Sequence, residues 1–416
     1  MDFRAIDDLS FCRFLAGRSR RTLGKTMKKV LRTLETFATR RLTITFDKID
    51  FTYTDMSLKR LANWFIAELS YVLKSNRVWA YPTHLQVEPV SGCNLRCRLC
   101  YIVTHDIPKG SLKLSDFMRL MDEVGDYLLS LHFWGWGEPF LNQDIFSMIK
   151  YAKKKGVKSI TSTNGHFFEN AENVDRLIDS GLYALIVALD GVDQKTYEQY
   201  RKRGNFERVI RGLRLLLQHR SEAGRSLPLI NLRMVVTREN EHQIPQMRSL
   251  AQHIGVDVLS LKTLGPHDDD TLWEKSLPLN PAYRRYEYDD EGNPIRNKNS
   301  CKKMWNHPTV FHDGTVAPCD YSIEVPLGDA FAGEKHAFRR VWFSKDFQKL
   351  RARFLSDEVD SLRCGNCPLN YTSPHDYVSH AIPIRRGSGR NQSLSCFRPG
   401  AAPATENLKH SIASYK

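Results

Sequence analysis

With 416 residues, 41% of them hydrophobic, the chain can bury a large core and is long enough for two or three domains, which excludes an intrinsically disordered protein. The formal net charge of +14 is concentrated at one end, where residues 1–60 hold 14 Lys and Arg against 7 Asp and Glu. Met1 to Ser19 carries Asp2, Arg4, Asp7, Asp8 and Arg13 among its apolar residues, and no run of about 18 apolar residues follows; neither a signal peptide nor a membrane-spanning helix is expected, and a cytoplasmic protein is.

From Arg20 to Arg41, Leu23, Met27, Val30, Leu31 and Leu34 form a helical stripe with Lys25, Lys28, Lys29 and Arg32 outside it. Such a basic amphipathic helix is either a cap on the main domain or a peripheral contact with an anionic membrane surface. No aromatic-basic motif supports nucleic-acid binding. Leu58, Leu61, Phe65, Leu69 and Leu73 predict a second amphipathic helix, and Pro82 ends this lead-in.

Strand and helix then alternate. Strands are predicted near 84–89, 130–134, 157–162, 183–189, 229–236 and 256–261, with helices near 115–129, 145–155, 170–180, 206–218 and 241–253 between them. Six such units imply an α/β fold with a parallel sheet and right-handed crossovers, either doubly wound or a complete or partial barrel. Between Pro266 and Lys303 the composition turns acidic and polar, with Asp268-Asp269-Asp270 and Asp289-Asp290-Glu291. The predicted division is an extension over 1–80, a core over 81–265, a linker or substrate-covering loop over 266–300, a small second unit over 301–384 and a flexible tail over 385–416.

Seven of the nine cysteines fall into two sets. Cys93, Cys97 and Cys100 are spaced C-x3-C-x2-C. Three thiolates are one short of a closed zinc or four-iron site, so a [4Fe-4S] cluster with one open iron, able to bind a further ligand, is the reading their number favours. Cys301, Cys319, Cys364 and Cys367 supply four thiolates and close a site, for which zinc and [4Fe-4S] both remain open. The stretch His307 to Cys319 reads as a β-hairpin turning at Asp313-Gly314. Cys12 and Cys396 are expected to be free thiols.

The stretch Cys93-Asn94-Leu95-Arg96-Cys97-Arg98-Leu99-Cys100 resembles the signature of the radical S-adenosylmethionine (radical SAM) superfamily, with Leu99 where an aromatic is usual. Trp134-Gly135-Trp136-Gly137-Glu138-Pro139 resembles the family's GGEP motif, with Trp136 in place of the first of the paired glycines. The resemblance implies a partial (β/α)6 TIM-like barrel with an N-terminal helical extension, in which the open iron chelates SAM and reductive cleavage yields a 5'-deoxyadenosyl radical. It places Tyr101 near the adenine, Glu138 on the methionyl ammonium, Asn164 among polar groups that meet SAM or substrate, and Arg201, in preference to Arg203, on the SAM carboxylate. Ala188 stands where many relatives carry a Ser that contacts SAM. Arg233, Thr237, Asn240 and Lys262 lie near the ends of the last two strands and are not ranked.

The pattern C-x(n)-G-x4-C of Cys301, Gly314 and Cys319 resembles the SPASM and twitch extensions of the same superfamily, small α+β domains that hold auxiliary [4Fe-4S] clusters. The further C-x5-C-x3-C run of a full extension is absent, so one auxiliary cluster is expected. A fully ligated cluster relays electrons, which implies an oxidation. By the resemblance Asp320 is the base that takes the accompanying proton, and a flavodoxin- or ferredoxin-type protein is the electron donor. The substrate class stays open among a sugar or aminocyclitol alcohol, a ribosomally made peptide, and a lipid or lipid-linked molecule. A non-catalytic iron–sulfur protein is the reading from another class, opposed by intact Cys93, Cys97, Cys100 and Glu138.

Overall fold

A computed structural model describes residues 33–265, 271–286, 289–291, 295, 301–320, 322, 325–333, 335–356, 364, 367 and 378–384. Lys25, Lys28, Lys29 and Arg32 of the basic helix, Cys12, Cys396 and the triplet at Asp268 lie outside the described residues.

Six parallel strands form the centre: β3 (His84–Val87), β4 (Ser130–Phe133), β5 (Lys158–Thr163), β6 (Ala184–Ala188), β7 (Leu229–Val235) and β8 (Val258–Lys262), paired in chain order. Helices Leu114–Val124, Ile145–Lys154, Ala171–Ser180, Phe206–Glu222 and Ile244–Ile254 cover the outer face, as the alternation predicts. Their ends follow local chemistry: Asn170 and Asn205 accept bonds from Glu172 N and Arg208 N at two N-termini, and Gly181 and Gly255 adopt positive φ at two C-termini. Leu85, Val87, Leu131, Phe133, Leu185, Val187, Leu232 and Met234 point outward and are buried in the main core beneath those helices. The alternate positions turn into the lumen and are largely polar, among them Gln86, His132, Asn231 and Ser260.

Among the described residues the sheet does not close on itself. Beyond β3 lie β9 (Thr309–Val310), parallel to it, and then β10 (Val316–Ala317), while β11 (Val378–Pro383) runs antiparallel to β8, which gives the order β10-β9-β3-β4-β5-β6-β7-β8-β11. The carboxy-terminal part of the chain therefore covers both edges of the partial barrel, where unpaired backbone would otherwise lie exposed. The predicted hairpin is present: β9 pairs with β10 (Val316–Ala317) across a turn in which Gly314 has φ +95°. A Cβ at Gly314 would stand 2.2 Å from Asp329 Oδ1, so the turn also needs glycine for space.

The extension predicted as helical also contains a β-hairpin. Strands β1 (Leu42–Phe46) and β2 (Ile49–Tyr53) pair through a two-residue turn, Asp47-Lys48, in which both residues have positive φ. Alternation from Leu42 to Tyr53 carried the signal, but an Asp-Lys turn lacks the usual glycine. The hairpin enters the barrel lumen. Leu42, Ile49, Phe51 and Tyr53 form one buried cluster with Leu129, Ile160, Ala184 and Ile186, and the Tyr53 hydroxyl donates to Leu129 O. Beyond it, the predicted second helix spans Leu58–Val72.

Candidate active site

A cavity of about 320 Å³ opens at the carboxyl ends of the strands, the end at which parallel α/β sheets assemble their ligand sites. Cys93, Cys97, Cys100, Tyr101, Glu138, Asn164, Arg201 and Asp320 all line it. The sequence motifs from four strand ends and from the second cysteine set thus meet in one space.

The cysteine loop is held by backbone. Arg96 N and Arg98 N donate to Lys202 O and Tyr200 O at 3.1 and 2.9 Å, and Glu138 N donates to Gly92 O at 2.8 Å. A Cβ on Gly137 would stand 2.0 Å from Val90 O, so the close approach of the β4 loop to the cysteine loop requires glycine there. Burial raises the Cys93, Cys97 and Cys100 thiols, Cys100 to about 12, and Cys97 and Cys93 add to it. Thiols close enough to oppose one another's ionisation are placed to share a positively charged group that reverses the effect. In the second set, burial raises Cys364, with Cys319, Cys367 and Cys301 contributing, and burial raises Cys301 to about 11. Four-iron clusters are held by cysteine thiolates, so the chemistry of both donor sets, one of three cysteines and one of four, fits iron–sulfur clusters.

Glu138 is 5% exposed and accepts from Asn164 N and Thr163 Oγ1 at 2.8 Å each. Burial pushes its carboxyl up to about 7 against those bonds. Asn164 Nδ2 donates to Asn94 Oδ1 at 2.8 Å and lies 3.8 Å from Cys93 Sγ. Tyr101 is buried between His105 and Trp136, with ring centroids at 3.8 and 4.5 Å. Arg201 Nε donates to Asp190 Oδ2 at 2.6 Å and its Nη1 lies 3.7 Å from Cys97 Sγ. Arg203 has φ +68°, is exposed and does not line the cavity. Asp320 pairs with Lys303, and both face the cavity. Of the unranked residues, Arg233 and Lys262 line the cavity; Asn240 is structural, its Nδ2 donating to Asp190 O and Val235 O.

Several functional positions escaped the sequence reading. Buried Glu88, at the end of β3, accepts from Trp136 N at 3.1 Å and meets His312 Nδ1 at 3.0 Å, joining the Trp-Gly-Glu loop to the carboxy-terminal hairpin. The hydrogen bond to Glu88 raises the His312 imidazole pKa, so the imidazole stays protonated to higher pH. Its signal was an acid at an inward register position, after His84 and Gln86. Asp190 is fully buried and also accepts from Val235 N at 2.6 Å. Phe46, at the hairpin tip, packs on His132 and Trp134, and His132 and His307 lie edge to face at 4.5 Å. Burial keeps both imidazoles well below the usual histidine pKa, hence neutral.

Residues 87–251 match the Radical SAM superfamily and residues 301–368 match SPASM, an iron-sulfur cluster-binding domain. The chain belongs to the radical SAM superfamily and carries a SPASM-type domain. It is a radical SAM enzyme of the SPASM type, and its cofactors are SAM, a [4Fe-4S] cluster and auxiliary iron–sulfur. It is 25% identical to the tungsten-containing aldehyde ferredoxin oxidoreductase cofactor-modifying protein of Pyrococcus furiosus, over 57% of this chain and 70% of that protein. It is 28% identical to the AdoMet-dependent heme synthase of Nitratidesulfovibrio vulgaris, over 67% of this chain and 83% of that protein. The fold is similar to Streptococcus suis SuiB bound to the precursor peptide SuiA, with a TM-score of 0.53 and 16% identity, covering 79% of each chain. Among the described residues no helix is long and apolar enough to cross a membrane.

Proposed function

We propose that this protein oxidises its substrate by hydrogen abstraction, with loss of a second electron to the auxiliary cluster and of a proton to Asp320, in the biosynthesis of a specialised metabolite or modified peptide. The carrying observation is that Asp320, next to the buried Cys319, lines the same cavity as Cys93, Cys97 and Cys100. When bound, the clusters and SAM would supply the one-electron chemistry and the adenosyl radical.

The protein's own groups divide the remaining work. Glu138 presents a carboxylate to the methionyl ammonium, Tyr101 an aromatic face to the adenine, and Asn164 an amide beside Cys93. Arg201 offers Nη1 to the carboxylate of SAM while Asp190 fixes its Nε. Asp320, held by Lys303, takes the proton as the substrate radical is oxidised. His132 and His307 stay neutral and contribute no charge to the cavity wall.

The test is anaerobic reconstitution, followed by assay of 5'-deoxyadenosine with candidate substrates and dithionite or a flavodoxin-type donor. Asp320→Asn should still cleave SAM but should slow oxidised product by roughly 10²–10⁴-fold, the scale of lost general-base catalysis. Product formation at the wild-type rate in that variant removes Asp320 from the mechanism. Failure of the wild type to form 5'-deoxyadenosine with any donor overturns the reading as a whole.

A further inference from the structure

Seven charged side chains line the cavity: Asp47, Glu138, Arg201, Arg233, Lys262, Lys303 and Asp320. Arg201 pairs with Asp190, Lys303 with Asp320, and Arg233 with Asp47 at 2.5 Å. Glu138 accepts three protein bonds at the cysteine end. The Lys262 side chain has no ion pair or hydrogen bond among the described residues; in the β7–β8 register Lys262 faces Val235 and Arg233 faces Ser260, so the two basic residues are diagonal neighbours that both line the cavity.

Arg233 itself is not fully satisfied. It is 8% exposed; its Nε donates to Ser260 Oγ at 3.1 Å and its Nη1 to Asp47 Oδ2, yet its Nη2 is buried with no partner. Asp47 comes from the tip of the amino-terminal hairpin, so an element outside the barrel completes this wall. Burial and the Arg233 charge together lower the Lys262 amine to about 8, the state of a cation short of a counter-ion. Asp47 partly offsets that shift, while Arg285 and Arg201 add to it. Two cations against one carboxylate leave a net charge of one, with donors on Arg233 Nη2 and Lys262 Nζ free to meet an acceptor.

We propose that Arg233 Nη2 and Lys262 Nζ, with Asp47 setting the net charge, form a subsite that anchors the substrate of this cavity by a carboxylate. The proposal rests on the cavity being the reaction chamber. A monoanion balances the wall, whereas a phosphate monoester near its dianionic form leaves one negative charge uncompensated. The substrate is therefore a carboxylic acid, either a small molecule or an acidic group of a peptide.

The test reads Lys262 directly and needs no turnover. Anaerobically reconstituted holoprotein with SAM bound is treated with acetic anhydride, and acetylation of the Lys262 peptide is timed by mass spectrometry in the presence of butyrate, butyramide or butyl phosphate. Butyrate should slow Lys262 acetylation several-fold, butyramide should not, and butyl phosphate should protect less than butyrate. Asp47→Asn raises the wall charge by one, so it should strengthen protection by butyrate and bring butyl phosphate level with it or beyond, a change that mere loosening of the hairpin would not produce. Equal protection by butyramide, protection by SAM alone, stronger protection by butyl phosphate in the wild type, or weaker protection by every anion in Asp47→Asn each overturns the proposal. Failure of SAM cleavage in the wild type bears on the reaction, not on this anion site.

Discussion

Glu138 is a carboxylate whose burial works against its charge and whose three donors work for it. With the carboxyl near 7, burial has outweighed the bonds from Asn164, Thr163 and Phe140, and an arriving cation finds an acceptor already oriented but under-compensated. In the proposed role that cation is the methionyl ammonium. Glu138→Gln keeps the side-chain shape while removing the charge, and it should weaken SAM binding by roughly 1.5–3 kcal/mol, the scale of a hydrogen bond to a charged group. Equilibrium dialysis of labelled SAM against reconstituted wild type and variant measures this, and equal affinities place the ammonium elsewhere. Glu88, a second buried carboxylate, holds two loops together by meeting a backbone N–H and an imidazole.

At the scale of elements, the amino-terminal hairpin fills part of the lumen of the partial barrel, a space that layers of strand side chains fill in a complete barrel. Its register places Ile49, Phe51 and Tyr53 on one face, and all three are buried against β5, β6 and the segment before β4. The opposite face is more open, with Thr43 and Thr52 hydrogen-bonded to each other near solvent. Phe51 has no exposed surface. Phe51→Ala should therefore destabilise the protein by about 3–5 kcal/mol, the range for a buried phenylalanine. Denaturant unfolding under anaerobic conditions gives the difference, and a loss below about 1 kcal/mol would match a surface position instead. Because the same hairpin delivers Phe46 and Asp47 to the cavity, its packing and the shape of the site are linked.

For the whole molecule, the second cysteine set is carried by a unit clasped to the lead-in before β3. Trp305 and Trp342 are fully buried, and their indole N–H groups donate to Ser75 O and Ala80 O at 2.7 and 2.8 Å. Arg351 Nε donates to Met304 O at 2.9 Å, and its guanidinium lies 4.6 Å from the Trp342 ring centroid. Lys302 pairs with Glu68 at 2.5 Å. These contacts hold the segment that sets Asp320, next to Cys319, against the cavity. On the proposed assignment of one four-iron cluster to each cysteine set, the reconstituted protein should hold about eight irons, and replacing Cys93, Cys97 and Cys100 together by Ala should leave about four. Iron analysis with Mössbauer spectroscopy checks both numbers, and zinc retained by the second set would contradict the assignment.

The sequence by itself determined the parts whose chemistry is local. Cysteine spacing marked both cluster sets, alternating apolar runs marked six strands within one or two residues of their observed ends, and Asp313-Gly314 marked the hairpin before Cys319. Tertiary structure alone decided which charges meet. Arg233 and Lys262 looked like any basic residues at strand ends until pairing of β7 with β8 placed them as diagonal neighbours on the cavity wall, and Asp47 gave no sign of a role 186 residues from Arg233. The same holds for the covering of the open barrel's edges, since β9 and β11 reach them from distant parts of the chain. A spacing motif works because its ligands are fixed by a few consecutive residues, whereas an ion pair across a lumen depends on strand register, hairpin entry and burial together, none of which any one segment encodes.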